Sequence, residues 1–125
     1  MEKTIEIDNK EYKFKATADT PRVYRHAFGR DIYTDVQKIF EAQAKEEELS
    51  VDVLDTYENI AFCMNSQAEG RPMHRENIEE ELGEWLSQFN MFSIYRILPK
   101  LIDLWNLNTK QTITPKKEPA RQNDR

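Results

Sequence analysis

The sequence has only one cysteine, Cys63, among its 125 residues, which excludes a disulfide within the chain. A lone thiol is typical of proteins that work in a reducing compartment. No apolar run approaches the roughly 18 residues that a membrane span needs, and the N-terminal segment lacks the apolar stretch of a signal peptide. We therefore expect a cytoplasmic protein with no membrane partner.

The sequence also lacks an excess of positively charged residues. The 18 Lys and Arg residues are outnumbered by 23 Asp and Glu residues, which gives a net charge of -5, whereas nucleic-acid-binding domains usually present a basic surface. The exception is 109–125, where five basic and two acidic residues give a net charge of +3 and leave -8 for the remainder. This composition predicts no nucleic-acid partner. It divides the chain into an acidic folded domain, 1–108, and a flexible, polar and basic C-terminal tail, 109–125.

Glycine is scarce, with three residues, and most apolar residues follow helical spacing, which disfavours an all-β fold. The exception is the N-terminus, where Ile5 and Ile7 are two residues apart, as are Tyr12 and Phe14 beyond a polar Asp8-Asn9-Lys10 segment. Alternation on both sides of a short polar turn predicts a β-hairpin. Two strands alone are marginally stable in water, so we expect the apolar face of the hairpin to pack on helices.

Five segments carry helix signals, namely capping residues followed by apolar residues at spacings of three and four. Gly29 and Gly70 are expected to end helices, and Pro99 predicts a kink or a break. The first two predicted helices are 21–28, capped by Thr20, and 31–48. The third is capped by Ser50 and has an apolar stripe from Val53 to Ala68. The fourth is capped by Asn77, with Glu80 in a capping box, and the fifth is 91–107, capped by Asn90. The sequence therefore predicts a mainly α fold of about five helices with an N-terminal β-hairpin and a disordered C-terminal tail.

The residue types that usually carry catalysis or bind metals are few and scattered. Cys63 lies within the strongest apolar stripe, where a cysteine is usually buried and inert. His26 and His74 have no second histidine or cysteine at metal-binding spacing, so we expect both to be solvated. The glutamate runs 46–48 and 79–81 are typical of a solvated helix face, and no glycine-rich phosphate-binding motif is present. The sequence predicts no active site, no metal and no cofactor, and hence a protein that is not an enzyme.

Arginines cluster near the first helix, where Arg22, Arg25 and Arg30 accompany Tyr24 and Phe28. Such a group is able to bind phosphate or acidic groups. The interpretation that we favour is that these arginines pair with the acidic surface of the same chain or of a neighbouring subunit.

Aromatic residues concentrate near the end of the folded domain, and they point to protein binding. Trp, Tyr, Phe and Met are enriched at the cores of protein–protein interfaces. Most of these side chains are expected to build the domain's own core, but Phe92, Ile97 and Leu104 lie off the main stripe of the last helix. A chain this small is not expected to bury all of them, and an exposed apolar patch implies a partner or self-association. The predicted protein-binding residues are Trp85, Phe89, Met91, Phe92, Tyr95 and Trp105.

Several segments also follow one another in a recognisable order. A short N-terminal strand pair leads into the segment FKATADTPRVYRHAFGRDIYTDV. An acidic helix comes next, and it is followed by the segments LDTYENIAFCMNSQA and FNMFSIYRILPKLIDLWNLN. In this order the chain resembles the tail assembly chaperones of long-tailed bacteriophages and prophages of Gram-positive hosts. The likeness covers nearly the whole chain, although no single motif in it is catalytic or diagnostic.

The resemblance implies a function. Proteins of this family bind the tape-measure protein, keep it soluble before the tail tube polymerises around it, and leave as tail tube subunits take their place. Some self-associate, and the family has no recognised active-site residues. By this resemblance we expect the chain to act in the host bacterial cytoplasm with the tape-measure protein and the tail tube protein as partners, and to be absent from the mature virion.

Other functions stay open on the sequence. A small helical adaptor or regulatory module would share the acidic helical body, and it would bind DNA only through a concentrated basic face, which Asp19, Asp31 and Asp35 dilute. A structural virion protein would stay in the phage tail. An enzyme would need a polar pocket with converging groups, and no group of residues in the sequence predicts one.

Overall fold

The computed structural model describes residues 1–45 and 50–104. This part of the chain is mainly helical with an N-terminal antiparallel hairpin, as the sequence predicts. Its elements are β1 (Glu2–Ile7), β2 (Lys10–Lys15), α1 (Thr20–Phe28), α2 (Ile32–Ala44), α3 (Val51–Glu69), a 3-10 turn (Arg75–Asn77), α4 (Ile78–Leu86), α5 (Ser93–Arg96) and α6 (98–104). The predicted C-terminal tail, the boundary at residue 108 and the end of the predicted helix 31–48 lie outside the described residues.

The hairpin closes through a two-residue turn. Asp8 and Asn9 both have positive φ angles, of 53° and 71°, which is the backbone of a type I′ turn and matches the right-handed twist of the strands. Lys10 pairs with Ile7 and therefore belongs to β2 rather than to the turn. Ile5, Ile7 and Phe14 are buried, so the alternation predicted from the sequence is confirmed, and β2 packs on α3.

The central element is α3, which β2, α1, α2, α4 and α5 all contact. Its cap is the predicted one, since the Ser50 hydroxyl accepts a hydrogen bond from the Val53 amide. The sequence predicts one apolar stripe, but residues 60–66 are buried on every side of the helix. Asn65 and Ser66 are the buried polar residues within this stretch, and the Asn65 side chain joins three elements. Its amide donates to the Lys13 carbonyl of β2 at 2.8 Å, and its carbonyl accepts from Trp85 Nε1 of α4 at 2.9 Å.

A buried carboxylate on α2, Asp35, binds a half-exposed arginine, Arg30, and a tyrosine of α1. Asp35 is 1% exposed, accepts two hydrogen bonds from the Arg30 guanidinium at 2.7 and 2.8 Å, and accepts a third from the Tyr24 hydroxyl. Burial acts to raise the pKa of the Asp35 carboxyl, but these donors outweigh it and hold the pKa below its usual range. Arg22 pairs in the same way with Asp19 at the surface. The predicted pairing of arginines with carboxylates of the same chain is thus confirmed for Arg22 and Arg30.

Two predicted helix caps are wrong, and a third lies at the predicted position without its capping hydrogen bond. Thr20 lies inside α1, whose N-cap residue is Asp19, and the Thr20 hydroxyl instead accepts from the Thr17 amide and donates to Gln67. Asn77 is the N-cap residue of α4, as predicted, but its side chain makes no capping hydrogen bond, so the expected capping box does not form. Asn90 does not cap α5, whose N-cap residue is Phe92.

The last predicted helix is broken near Pro99, as expected. Helix α5 ends at Arg96 and α6 begins at residue 98, so Pro99 falls in a first helical turn, where its missing N–H is not needed. Ile97 at the break and Leu104 on α6 are both buried, at 4% and 1% exposure, although both lie off the apolar stripe that the sequence predicts for one continuous helix. Of the three residues off the predicted stripe, only Phe92 is exposed, so the expectation that a chain this small does not bury all of them is confirmed.

Candidate protein-binding surface

The most exposed apolar feature of the described residues is the turn between α4 and α5. Met91 is 81% exposed and Phe92 is 58% exposed. The other large exposed apolar side chains, Met1, Tyr33 and Val51, are not sequence neighbours of one another. Scattered single exposures are ordinary on protein surfaces, whereas adjacent ones form a patch. We call the turn that carries Met91 and Phe92 the display turn, residues 90–92.

The hairpin holds the display turn in place. One oxygen of the Asp8 carboxylate accepts from the Asn90 amide at 2.9 Å, and the other accepts from the Asn90 side chain at 3.1 Å and from the Ser93 hydroxyl at 2.6 Å. The hydrogen bonds from Ser93 and then Asn90 hold the pKa of Asp8 below its usual range. Met91 and Phe92 are thus presented by an anchored backbone, which lowers the ordering cost of binding.

A cavity of about 110 Å³ lies beside the display turn. Five of its seven lining residues are apolar or aromatic, polar atoms form about half of its wall, and Glu58 contributes the one carboxylate. The Tyr95 hydroxyl donates to that carboxylate at 2.6 Å, and this bond, with partial burial, raises the pKa of Tyr95 to about 12. The lining residues are Glu58, Leu86, Phe89, Asn90, Met91, Ile94 and Tyr95. Apolar and aromatic side chains with a few placed polar groups are typical of binding sites.

The structure brings most of the predicted protein-binding residues together. Phe89, Met91 and Tyr95 line the cavity, and Phe92 follows Met91 in the display turn. Trp85 lies behind them at only 5% exposure, with its ring centroid 5.0 Å from that of Phe89. Trp85 is therefore a core residue that supports the cavity wall and not a residue of the exposed surface. Trp105, the sixth predicted residue, lies outside the described residues.

Sequence reasoning missed two residues of this surface, Glu58 and Asp8. Glu58 lies one residue beyond Tyr57 of the apolar stripe, and no pattern in the surrounding sequence predicts that it borders a cavity. Asp8 was recognised only as part of a hairpin turn. Its partner Asn90 lies 82 residues away, and no local pattern connects positions that far apart.

The chemically reactive residue types lie elsewhere and are held in inert settings. Cys63 is fully buried, and burial raises the pKa of its thiol to about 12, so it stays protonated at neutral pH. His74 is exposed, as expected, and its Nδ1 is also paired with Glu81 at 2.7 Å, which raises its pKa. In residues 1–45 and 50–104, no three His, Cys, Asp or Glu side chains are grouped to hold a metal ion, and no helix is long and apolar enough to cross a membrane.

Comparison of the chain with protein-family models, with curated proteins and with solved structures finds no match. The display turn and its cavity, together with the resemblance of the sequence segments, are therefore the basis for assigning a function.

The anchoring of the display turn by Asp8 gives a testable prediction. Asp8→Gly keeps the positive φ angle of the hairpin turn but removes the carboxylate, so the amides of residues 90–93 are expected to exchange with solvent faster. Because the pKa of Asp8 is lowered in the folded protein, its stabilising effect is present above the ordinary carboxyl pKa and is lost as the pH falls through the folded value. The difference in stability between wild type and variant, measured by thermal unfolding, should therefore be present at pH 7 and shrink in acid.

The neighbouring turn residue offers a matched control. Asn9 also has a positive φ angle, and Asn9→Gly leaves the Asp8 carboxylate in place. It should leave exchange in the display turn unchanged. Equal acceleration in both variants would show that the hairpin turn, and not the Asp8 carboxylate, holds residues 90–93.

Proposed function

We propose that this chain is a phage tail assembly chaperone. It binds the tape-measure protein in the host cytoplasm, keeps it soluble, helps to recruit tail tube subunits and then leaves. The observation that carries the proposal is the display turn, where an anchored backbone holds Met91 and Phe92 exposed beside a cavity lined mainly by apolar and aromatic side chains. The ordered likeness of the sequence segments to this family supports it.

The surface suits a long helical client. A tape-measure protein is a very long, largely helical chain, and its apolar stripes would aggregate if left bare. An apolar side chain from such a helix fits a cavity lined mainly by apolar and aromatic side chains, as in other helix-in-groove contacts. The surface is small, so each contact with the tape-measure protein is weak. Many copies of this chain bound along one tape-measure protein give a stable complex by multivalency. Weak single contacts also allow tube subunits to displace the chaperone.

The charge of the chain supports the same role. Residues 1–108 carry a net charge of -8, and a coat of acidic copies would keep the large complex soluble. The exposed glutamates of α4, such as Glu80 and Glu84, belong to this acidic surface.

Co-expression with the tape-measure protein encoded just downstream tests the proposal. The tape-measure protein is expected to be insoluble when expressed alone, soluble when this chain is present, and to elute together with it. If the tape-measure protein is soluble by itself and elutes without this chain, the proposal is wrong, and an adaptor with another partner becomes the better hypothesis.

A chaperone leaves the tail during assembly, whereas a structural virion protein stays in it, so the composition of purified virions distinguishes the two functions. Mass spectrometry of purified virions should detect the tail tube and tape-measure proteins but not this chain, while the chain is present in lysates of the same infected cells. Stoichiometric recovery from virions would support a structural role instead.

A further inference from the structure

The hydroxyl of Tyr57 on α3 is buried without a hydrogen-bond partner. Tyr57 is 1% exposed, and within residues 1–45 and 50–104 its hydroxyl oxygen is the one buried side-chain polar atom that makes no hydrogen bond. Burial raises the pKa of this hydroxyl. A hydroxyl that loses water and gains no partner destabilises the state in which it is buried. A conformation that returns water to Tyr57 is therefore favoured at this position.

Tyr57 lies beneath the last two helices. Its ring centroid is 6.0 Å from that of Tyr95 on α5. It also lines a small crevice of about 10 Å³ where α6 packs against α2 and α3, and the wall of this crevice is wholly apolar. The α6 residues in the wall are Leu98, Leu101 and Ile102. The contact between α6 and the rest of the fold thus includes the buried tyrosine and supplies it with no polar partner.

Polar contacts hold α5 in place. The Ser93 hydroxyl donates to Asp8 at 2.6 Å, and the Tyr95 hydroxyl donates to Glu58 at 2.6 Å. By contrast, residues 98–104 of α6 make no side-chain hydrogen bond or ion pair with the rest of the described chain. Within these residues, apolar burial is what holds α6. The two helices therefore differ in how they are attached, although one follows directly on the other.

The junction between the two helices is suited to be a hinge. Helix α5 ends at Arg96 and α6 begins at residue 98, so the helical hydrogen bonding is interrupted at Ile97. Pro99 has no N–H and adds no backbone hydrogen bond across the junction. Few interactions would be lost if the chain bent here.

We propose that α6 opens away from α2 and α3 as a local unit, about a hinge at residues 97–99, while α5 and the display turn stay in place. Opening lets water reach the Tyr57 hydroxyl, which offsets part of the cost of exposing the leucines of α6. It uncovers an apolar face of α2 and α3 that includes Ile39 and Ile60. The chain thus has a second apolar surface, separate from the display turn and covered in the closed form. The inference does not depend on the proposed function.

Hydrogen–deuterium exchange of the full chain, without any partner, tests the inference. Amides of residues 101–104 are expected to exchange at least roughly tenfold faster than those of residues 57–64 at the centre of α3, because a local opening requires less free energy than global unfolding. Equal rates in the two segments would mean that α6 is released only when the whole domain unfolds, and the inference would be wrong.

Tyr57→Phe tests whether the opening involves the unpartnered hydroxyl. The variant keeps the ring but lacks the group that gains hydration, so exchange in residues 101–104 should slow by roughly fivefold or more. Exchange in the display turn should not change. Unchanged exchange in residues 101–104 would overturn the inference, because α6 would then open without uncovering Tyr57. Equal slowing in the display turn would also contradict it, since α5 would then open together with α6.

Tyr95→Phe is the matched control. It removes the same atom from a neighbouring tyrosine whose hydroxyl already has a partner, Glu58. The hydrogen bond that is lost is one made in the closed form, so this variant should not slow exchange in residues 101–104. Slowing of the same size in both variants would show that the unpartnered state of the Tyr57 hydroxyl is not the cause, and the inference would fail.

Discussion

Replacing Met91 and Phe92 together by alanine is expected to weaken binding of the tape-measure protein by roughly tenfold or more. Truncating an aromatic or apolar anchor at the centre of an interface commonly costs more than about 1 kcal/mol, and about 1.4 kcal/mol corresponds to a factor of ten in affinity. The free energy of unfolding should stay within about 0.5 kcal/mol of wild type, because both side chains are exposed in the free protein. Titration of the soluble complex and urea unfolding measure the two quantities separately.

Val51→Ala is the matched control for that variant. Val51 is 75% exposed at the start of α3 and does not line the cavity beside the display turn, so the change removes exposed apolar surface elsewhere on the chain. It should leave binding unchanged. Equal loss of binding in both variants would mean that the tape-measure protein responds to apolar surface in general and not to the display turn.

Asn65→Ala is expected to destabilise the fold by about 2–4 kcal/mol. The change leaves the Lys13 carbonyl and the Trp85 indole N–H without their partner in the interior, and each buried unsatisfied group costs about 1–3 kcal/mol. Urea unfolding monitored by Trp fluorescence measures the effect. The consequence extends to the proposed site, because Trp85 supports Phe89 and hence the cavity wall.

A double-mutant cycle with Trp85→Phe isolates the hydrogen bond from the loss of packing. The indole N–H is absent in Trp85→Phe, so the penalty for Asn65→Ala should be smaller in that background than in wild type. A penalty for Asn65→Ala below about 0.5 kcal/mol in wild type would show that water reaches these groups and that the network does not join β2, α3 and α4.

The elements that sequence reasoning located correctly are those that local patterns specify. The hairpin follows from the alternation of Ile5 and Ile7 around a turn that accepts positive φ angles, and α3 follows from apolar spacing after the Ser50 cap. The wrong caps at Thr20 and Asn90 have a common cause. Each side chain has a suitable hydroxyl or amide, but partners elsewhere engage the residue, namely Thr17 and Gln67 for Thr20 and Asp8 for Asn90.

The burial of Ile97 and Leu104 could not be read from spacing, because it depends on how the last two helices pack on the rest of the fold. The same limit applies to the candidate site. Aromatic content indicated Phe89, Met91, Phe92 and Tyr95, and the structure places three of them around one cavity, with Phe92 next to Met91 in the display turn. Sequence reasoning did not separate Trp85, which tertiary packing buries, from its exposed neighbours. Nor did it connect Asp8 to Asn90, since only the folded chain brings them together.

Hydrogen–deuterium exchange of this chain, alone and in the purified complex with the tape-measure protein, locates the surface that binds the partner. Complex formation is expected to slow exchange in residues 86–96, which span the display turn and the cavity wall, and to leave exchange in α1 and β1 unchanged. Protection confined to α1 or β1, with residues 86–96 exchanging as fast as in the free chain, would contradict the assignment of this surface to partner binding.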